Sequence, residues 1–412
     1  MKNSAARKKK IFNDPIYGFI SLPYEIIFDL VEHPYFQRLR RISQLGLTSV
    51  VYSGAQHTRF HHALGAMHLM GQAIEVIRSK GHDITRDEAK AATIAILLHD
   101  IGHGPFSHTL EHSLVDGINH ETISVLTMER LNEAFDGALT MAMEIFLGTY
   151  PKQFLHQLVS SQLDMDRLDY LKRDSFFSGV SEGVVGSDRI IKMLNVVDDQ
   201  LVVEAKAIYS IEKFIVARRL MYWQVYLHKT VVAAEFLLMN ILKRAKAMAA
   251  AGTELFCTPA FKTVLYGNFS KADFTTNPEV LEAFLSLDDT DVMASVKVWS
   301  QHEDPVLARL CQSLVERRLP RISLQAEAFA EAEIAASRKA TASAYGISEA
   351  DTEYFVFTST ITNSAYNPEH DRINILFRDG TVKDVAEAAD LLNISVLSAA
   401  VRKHVLCAPK DV

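Results

Sequence analysis

Histidine is crowded into one stretch of this 412-residue chain: ten of its sixteen histidines fall between His57 and His120. Burying that many imidazoles requires partners for their ring nitrogens, so the stretch reads as a place for chemistry. Its sharpest element is His99-Asp100, which follows the apolar run 91–98 and precedes Gly102. Imidazole and carboxylate suit borderline and hard divalent cations, and a pair fixed at the end of a buried helix has little freedom. Alone, the pair would read as an ordinary helix end. His103 and His108, held in a Gly-Pro turn, with Glu111 and His112 just beyond, shift the reading to a metal-centred site.

Two distant segments add candidates. Arg59-Phe60-His61-His62 sets Arg59 and His62 three residues apart, on one face of a helix. Much later, Asp164, Asp166, Asp169, Tyr170, Arg173 and Asp174 crowd a single helix, and Asp166, Asp169, Tyr170, Arg173 and Asp174 share one face by their spacing. One of these acids could complete a His-His-Asp-Asp set, and the spacing leaves open which. A charge run is usually a solvated face, but Leu163, Leu168 and Leu171 and the lack of well-spaced lysine partners count against that here.

The elements that must position these residues are mostly helical. A hairpin is expected over 11–22, then a helix around Ile26–Val31, ended by Pro34, and another over Phe36–Leu45, ended by Gly46. Further helices are expected at 59–80, 86–100, 120–135, 138–147, 152–175, 187–195 and 209–250, with a short strand at 201–204. Residues 256–345 read as helices with polar connections. Beyond 350, Tyr354–Thr358 and Ile373–Phe377 read as strands, Asp379-Gly380 as a turn, and 382–392 as a helix. The fold class is therefore mainly α, a helical core with a small α+β C-terminal unit. The expected divisions are 1–255, 256–345 and 346–412.

Composition narrows the function. Apolar residues make up 48% and charged residues 23%, a globular balance. The formal net charge is −7, with 43 Lys+Arg against 50 Asp+Glu, which argues against a general nucleic-acid binder. Three scattered cysteines, Cys257, Cys311 and Cys407, offer neither a disulfide framework nor a cysteine zinc site and fit a reducing cytoplasm. No signal peptide and no membrane-spanning helix are expected.

Taken in order, the motifs resemble the HD superfamily of metal phosphohydrolases, and within it the branch that hydrolyses deoxynucleoside triphosphates (dNTPs), which includes the mammalian SAM-and-HD-domain enzyme and its bacterial relatives. The resemblance runs from about Lys10 to Arg321. It rests on Phe12-Asn13-Asp14-Pro15-Ile16, Phe36-Gln37-Arg38-Leu39-Arg40, Gln44-Leu45-Gly46, Arg59-Phe60-His61-His62, the segment from His99 to His108, His120-Glu121, Asp166-Arg167-Leu168-Asp169-Tyr170 and Arg173-Asp174. It implies an HD-domain helical core, here as the bare catalytic unit, in which His62, His99, Asp100 and Asp166 hold a divalent metal. Iron, manganese, nickel, zinc and magnesium all suit such ligands, with magnesium also expected on the substrate phosphates. His103, His108 and His120 would contact phosphates or handle protons, with Glu111 orienting His108. Arg59, Arg167 and Arg218 would neutralise the triphosphate. Gln44, Tyr170 and Asp174 would frame the sugar, and Tyr226 and Lys229 match another sugar- and phosphate-facing segment. Asp164 and Asp169 would support the ligands. Two departures stand out: Arg167 replaces a lysine, and Tyr222 stands where a histidine is expected.

The resemblance also implies an activating nucleotide bound between subunits, on Lys10, Asn13, Glu32, Gln37, Arg40 and Arg317, with Glu32 one methylene longer than the acid it replaces. A homo-oligomer, dimer or tetramer, is expected. The competing readings are an HD phosphohydrolase acting on monophosphates, cyclic nucleotides or alarmones, and a non-catalytic nucleotide sensor.

Overall fold

The computed structural model describes residues 10–106, 117–363, 366, 372–390 and 401–412. The expected hairpin is present: β1 (Ile11–Asp14) pairs antiparallel with β2 (Gly18–Ser21), and Asp14 closes the turn by accepting from the Ile16 and Tyr17 amides at 2.9 and 3.0 Å. Helix α1 (Glu25–Glu32) follows. The continuous helix expected over Phe36–Leu45 does not form. A single turn, Pro34–Gln37, passes into a 3-10 turn, Arg38–Arg41, and Ser43 then bridges to Thr58. Arg38 explains the break: its guanidinium is buried and donates to the Ile101 and Leu287 carbonyls at 2.8 and 3.1 Å, so long-range hydrogen bonds override local periodicity.

Four helices make the frame of the site. They are α2 (Arg59–Ser79), α3 (Arg86–Leu98), α4 (His120–Ala134) and, after α5 (Thr140–Phe146) and α6 (Gln153–Val159), α7 (Met165–Ser178). Helix α3 begins with a capping box, Thr85 and Glu88 bonding each other's backbone amides. Every residue from Ala91 to Leu98 is buried, as the all-round apolar run requires. The helix expected over 152–175 is divided by 160–164, where Asp164 caps α7 by accepting from the Arg167 amide at 2.7 Å.

Helix α8 (Ser187–Lys192) ends earlier than expected because 194–197 form strand β3, paired with β4 (Gln200–Glu204). The helix expected over 209–250 is also two: α9 (Ile208–Met221) and α10 (Lys229–Ala250), separated by a π-helical turn, Tyr222–Tyr226. Helices α11 (Pro259–Tyr266), α12 (Lys271–Thr276), α13 (Pro278–Leu285), α14 (Asp289–Trp299) and α15 (Pro305–Val315) follow, then an unforeseen strand β5 (Arg321–Gln325) and α16 (Glu331–Tyr345).

The C-terminal region contains sheet, as expected, but its strands are shared. β6 (Phe357–Asn363) and β9 (Val401–Ala408) form one sheet with β5, whereas β7 (Asn374–Leu376) and β8 (Val382–Asp384) extend the β3–β4 hairpin, β7 running parallel to β4. Residues 382–384, expected as helix, are therefore strand. Two hydrophobic cores result among the described residues. One lies under α2, α3, α7 and α9, and the other gathers α10 to α15 with β5 and β9.

Candidate metal centre

The site forms where the end of α3 meets the faces of α2 and α7. His99 and Asp100 lie in the turn after α3, where helix carbonyls lack internal partners. Those groups are used locally. His99 Nδ1 donates to the Ile96 carbonyl at 2.6 Å, Ser124 Oγ on α4 donates to the His99 carbonyl at 2.9 Å, and the Gly102 amide donates to Ser124 Oγ. Gly102 has to be glycine: a Cβ there would fall 2.3 Å from the backbone of both His120 and Ser124.

His62 Nε2, His99 Nε2 and an Asp166 carboxylate oxygen converge. His62 Nε2 is 3.0 Å from Asp166 Oδ1, His99 Nε2 is 3.4 Å from the same oxygen, and the two ring nitrogens are 3.4 Å apart. These three residues bring one donor atom each within 4.8 Å of the others. Asp100 stands at the rim, with Oδ1 3.4 Å from His99 Nε2, Oδ2 3.9 Å from His62 Nε2, and Oδ2 accepting from Arg59 at 2.5 Å.

This donor set fits a divalent cation. The Ile96 carbonyl can only accept, so His99 Nδ1 carries the proton. His62 Nδ1 sits 2.7 Å from Asp169 Oδ2 and is likewise the donor. Both Nε2 atoms are then bare lone pairs in the neutral rings, and they face each other beside an ionised carboxylate. Fixing a ligating imidazole through its other nitrogen is how proteins set a metal-binding tautomer. Without a metal, protons fill the role. Burial alone would lower the His62 pKa, but Asp166 and Asp169 outweigh it and hold it up to about 10. His99 is raised for the same reason, against burial, by Asp100 and Asp166. Burial would push Asp100 up, but His99, His103 and Arg59 hold it well below the usual carboxylate range.

Asp169 lies beneath the site, and burial would raise its pKa. Arg173, which donates to both of its oxygens at 2.9 and 3.0 Å, brings it down to about 2. Gly65 makes room for this pair, since a Cβ there would lie 2.0 Å from Asp169 Oδ1 and 2.2 Å from Arg173 Nη2.

Around the centre, His103 Nε2 is 3.3 Å from Asp100 Oδ1, and its ring stacks on His120 at 3.8 Å. Burial and the Arg59 charge lower its pKa to about 3, so it is neutral. His108 and Glu111 lie outside the described residues. A cavity of about 510 Å³ opens over His99, Asp100, His120 and Asp166. Arg167 is held by the Ser161 carbonyl at 2.6 Å, and Arg218 by Gln162 at 3.0 Å.

The expected sugar frame gathers at the other end of α7. Asp174 accepts from the Tyr226 hydroxyl at 2.7 Å and from His57 Nε2 at 2.8 Å, and Tyr170 stands edge-to-face to Tyr226 at 6.3 Å. The π turn brings Tyr226 there: the Leu227 amide bonds the Tyr222 carbonyl at 2.7 Å, the extra residue rotating the aromatic pair inward. The Gln44 amide donates to the His57 carbonyl, and Gln44 Oε1 is buried without a hydrogen-bond partner. Lys229 is exposed at the first position of α10. His57, stacked on Phe177 at 4.5 Å, was not singled out by sequence, because one histidine among ten carries no mark of its partner.

Of the residues expected to bind an activating nucleotide, Lys10 caps the Phe28 ring at 3.6 Å, Asn13 lies on β1, Glu32 ends α1, and Gln37 accepts from Arg40 at 2.9 Å. Arg317 is bound to the Val50 carbonyl at 2.8 Å, on the second core's side.

Comparison with known proteins shows the family. The HD domain profile matches residues 59–173, and that of the HD-associated region matches 185–256. A solved phosphohydrolase from Bacteroides thetaiotaomicron is 53% identical, with a TM-score of 0.95 over 98% of this chain and 100% of its own. The chain belongs to the HD-domain phosphohydrolases. Protein YwfO of Bacillus subtilis is 29% identical over 99% of this chain and 94% of its own length. The deoxynucleoside triphosphate triphosphohydrolase SAMHD1 homolog of Dictyostelium discoideum is 34% identical over 59% of this chain, which spans half of that protein. The HD profile begins at Arg59 and ends at Arg173, so it takes in all four expected ligands and the Asp169–Arg173 pair beneath them.

Proposed function

We propose that this HD-domain phosphohydrolase cleaves deoxynucleoside triphosphates to deoxynucleoside and inorganic triphosphate, by water attack at the α-phosphorus. The observation that carries the reading is the juxtaposition of a divalent-metal donor set with an arginine-rich rim and a tyrosine–aspartate wall along one helix, in a chain similar to enzymes named for that reaction. His62, His99 and Asp166, with Asp100 at the rim, would hold the metal. The bound metal supplies Lewis acidity toward a phosphoryl oxygen and a water of lowered pKa. Arg59, Arg167 and Arg218 bind the triphosphate and offset its charge. Neutral His103, with His120 stacked on it, accepts or returns a proton at its ring nitrogen, and His108 with Glu111 completes that group. Gln44, Tyr170, Asp174, Tyr226 and Lys229 orient the nucleoside. Tyr170 against C2′ leaves no room for a ribose hydroxyl.

We read activation by a nucleotide at Lys10, Asn13, Glu32, Gln37, Arg40 and Arg317, in a cytoplasmic homo-oligomer, as part of the same proposal. The test is a chromatographic product assay with each dNTP, ATP, GTP and a dNTP mixture, in Mg²⁺ or Mn²⁺. Deoxynucleoside plus triphosphate, lost in His99→Ala/Asp100→Ala, is the expected result. Turnover only in the mixture supports activation. No triphosphate released from any dNTP sinks the reading and moves the substrate to a monophosphate or cyclic nucleotide.

A further inference from the structure

A buried chain of charges joins the N-terminal hairpin to the metal centre. Arg173 Nη1 donates to Asp14 Oδ2 at 2.8 Å, its other nitrogens grip both oxygens of Asp169, and Asp169 Oδ2 accepts from His62 Nδ1 at 2.7 Å. The side chains of Arg173, Asp169 and His62 are wholly buried and that of Asp14 is 4% exposed. A bare turn cap would need only one Asp14 oxygen. Oδ1 does that work on the Ile16 and Tyr17 amides, while Oδ2 is spent on Arg173, from a strand 159 residues away in sequence.

We propose that Asp14 is a positioning residue of the metal centre, acting through Arg173 and Asp169 on His62. Two physical effects follow from its charge. Asp14 fixes the third arm of the Arg173 fork, which fixes the Asp169 carboxylate and through it the His62 ring. Asp14 also sets the local charge: with Asp169 at −1 and Arg173 at +1, its own −1 leaves the buried group at −1. Without it the group is neutral, and an arginine closer in character to a free cation sits under a dication. Partners of this kind behind metal-ligating histidines tune affinity by roughly 10–100-fold. The inference rests on the metal centre and not on the identity of the substrate.

The experiment is a Mn²⁺ titration of the full chain, with free Mn²⁺ counted by electron paramagnetic resonance, alongside the melting temperature of the metal-free protein. Asp14→Asn keeps the Oδ1 turn cap, removes the charge and replaces the acceptor that faces Arg173 by a donor. It should weaken Mn²⁺ binding by about tenfold. Phe12→Ala, which loosens the same hairpin by removing an edge-to-face contact with Phe60, should lower the melting temperature and leave affinity within about twofold. Gly65→Ala displaces the Asp169–Arg173 pair directly and leaves Asp14 and its turn cap unaltered in sequence, and it should weaken Mn²⁺ binding at least as much as Asp14→Asn. The proposal is overturned if Asp14→Asn or Gly65→Ala binds Mn²⁺ like the unaltered chain, or if Phe12→Ala weakens it equally. A chain that binds no Mn²⁺ at all overturns it together with the metal centre. A chain that binds Mn²⁺ but releases no triphosphate overturns only the dNTP reading.

Discussion

The two ends of α7 are built on opposite principles. At its N-terminal end, Asp166 and Asp169 are ringed by imidazoles and guanidinium, and the Nε2 atoms of His62 and His99 converge on Asp166 Oδ1. At its C-terminal end, Tyr170 and Asp174 meet tyrosines and a stacked histidine, and both Gln44 Oε1 and His57 Nδ1 are buried without partners. Buried polar groups are normally satisfied. One end therefore gathers donors that suit a cation, and the other gathers aromatic rings and uncharged hydrogen-bonding groups, which is the contrast between the candidate metal centre and the wall we propose for the nucleoside.

The largest effect should come from breaking the metal end. Asp166→Ala or His99→Ala removes one of three converging donors. Turnover should fall about a thousandfold, the several kcal/mol of charge stabilisation at 1.36 kcal/mol per decade. Bound metal should fall in parallel by plasma mass spectrometry. Full metal content with activity lost would mean that these residues do chemistry and not ligation.

The next effect concerns pH and the metal-free protein. Against the opposing effect of burial, Asp166 and Asp169 hold the His62 pKa up to about 10 in the fold, from about 6.5 in the unfolded chain. A histidine whose pKa rises on folding contributes stability that is complete below the unfolded value and is lost as pH rises through the folded one. The metal-free chain should therefore melt progressively lower from pH 6.5 to 10, by an effect on the order of a few kcal/mol. The metal-loaded chain should not, because a cation then occupies the place of the proton. Thermal melts across that range, with and without Mn²⁺, decide it. Parallel profiles would show that the two bare nitrogens are not a cation site.

The same contrast explains what sequence could reveal. His99-Asp100 is legible because the two residues are adjacent and end an apolar helix, and the α7 acids because their spacing puts them on one face. Their helices are legible from periodicity, and α3 follows the apolar run residue by residue. The relay from Asp14 is not, since Asp14 and Arg173 are brought together only by the packed fold. The breaks at 160–164 and 222–228 also escape periodicity. The first is set by the Asp164 cap, a local bond that periodicity does not register, and the second by the tertiary gain of turning Tyr226 toward Asp174. Strand β5 is hidden because its partner β9 is about eighty residues further on and gives no local signal.

The smallest expected effect tests whether the two ends are independent. Tyr226→Phe removes the hydroxyl that donates to Asp174 Oδ2 and keeps the ring that faces Tyr170 and Tyr222. A hydrogen bond to a charged group contributes roughly 1.5–3 kcal/mol, but Asp174 keeps its bond to His57, so the lower figure applies. That predicts a fall of about tenfold in kcat/KM for a dNTP. The loss should be carried mainly by KM, because an aspartate held by His57 alone positions the sugar less well but does not touch the phosphorus. Metal content and the apo pH profile should not change, since no hydrogen bond in the described residues runs from Tyr226 or Asp174 to the metal donors. If Tyr226→Phe does reduce bound metal, α7 transmits between its ends, and the division into a cation end and a nucleoside end fails.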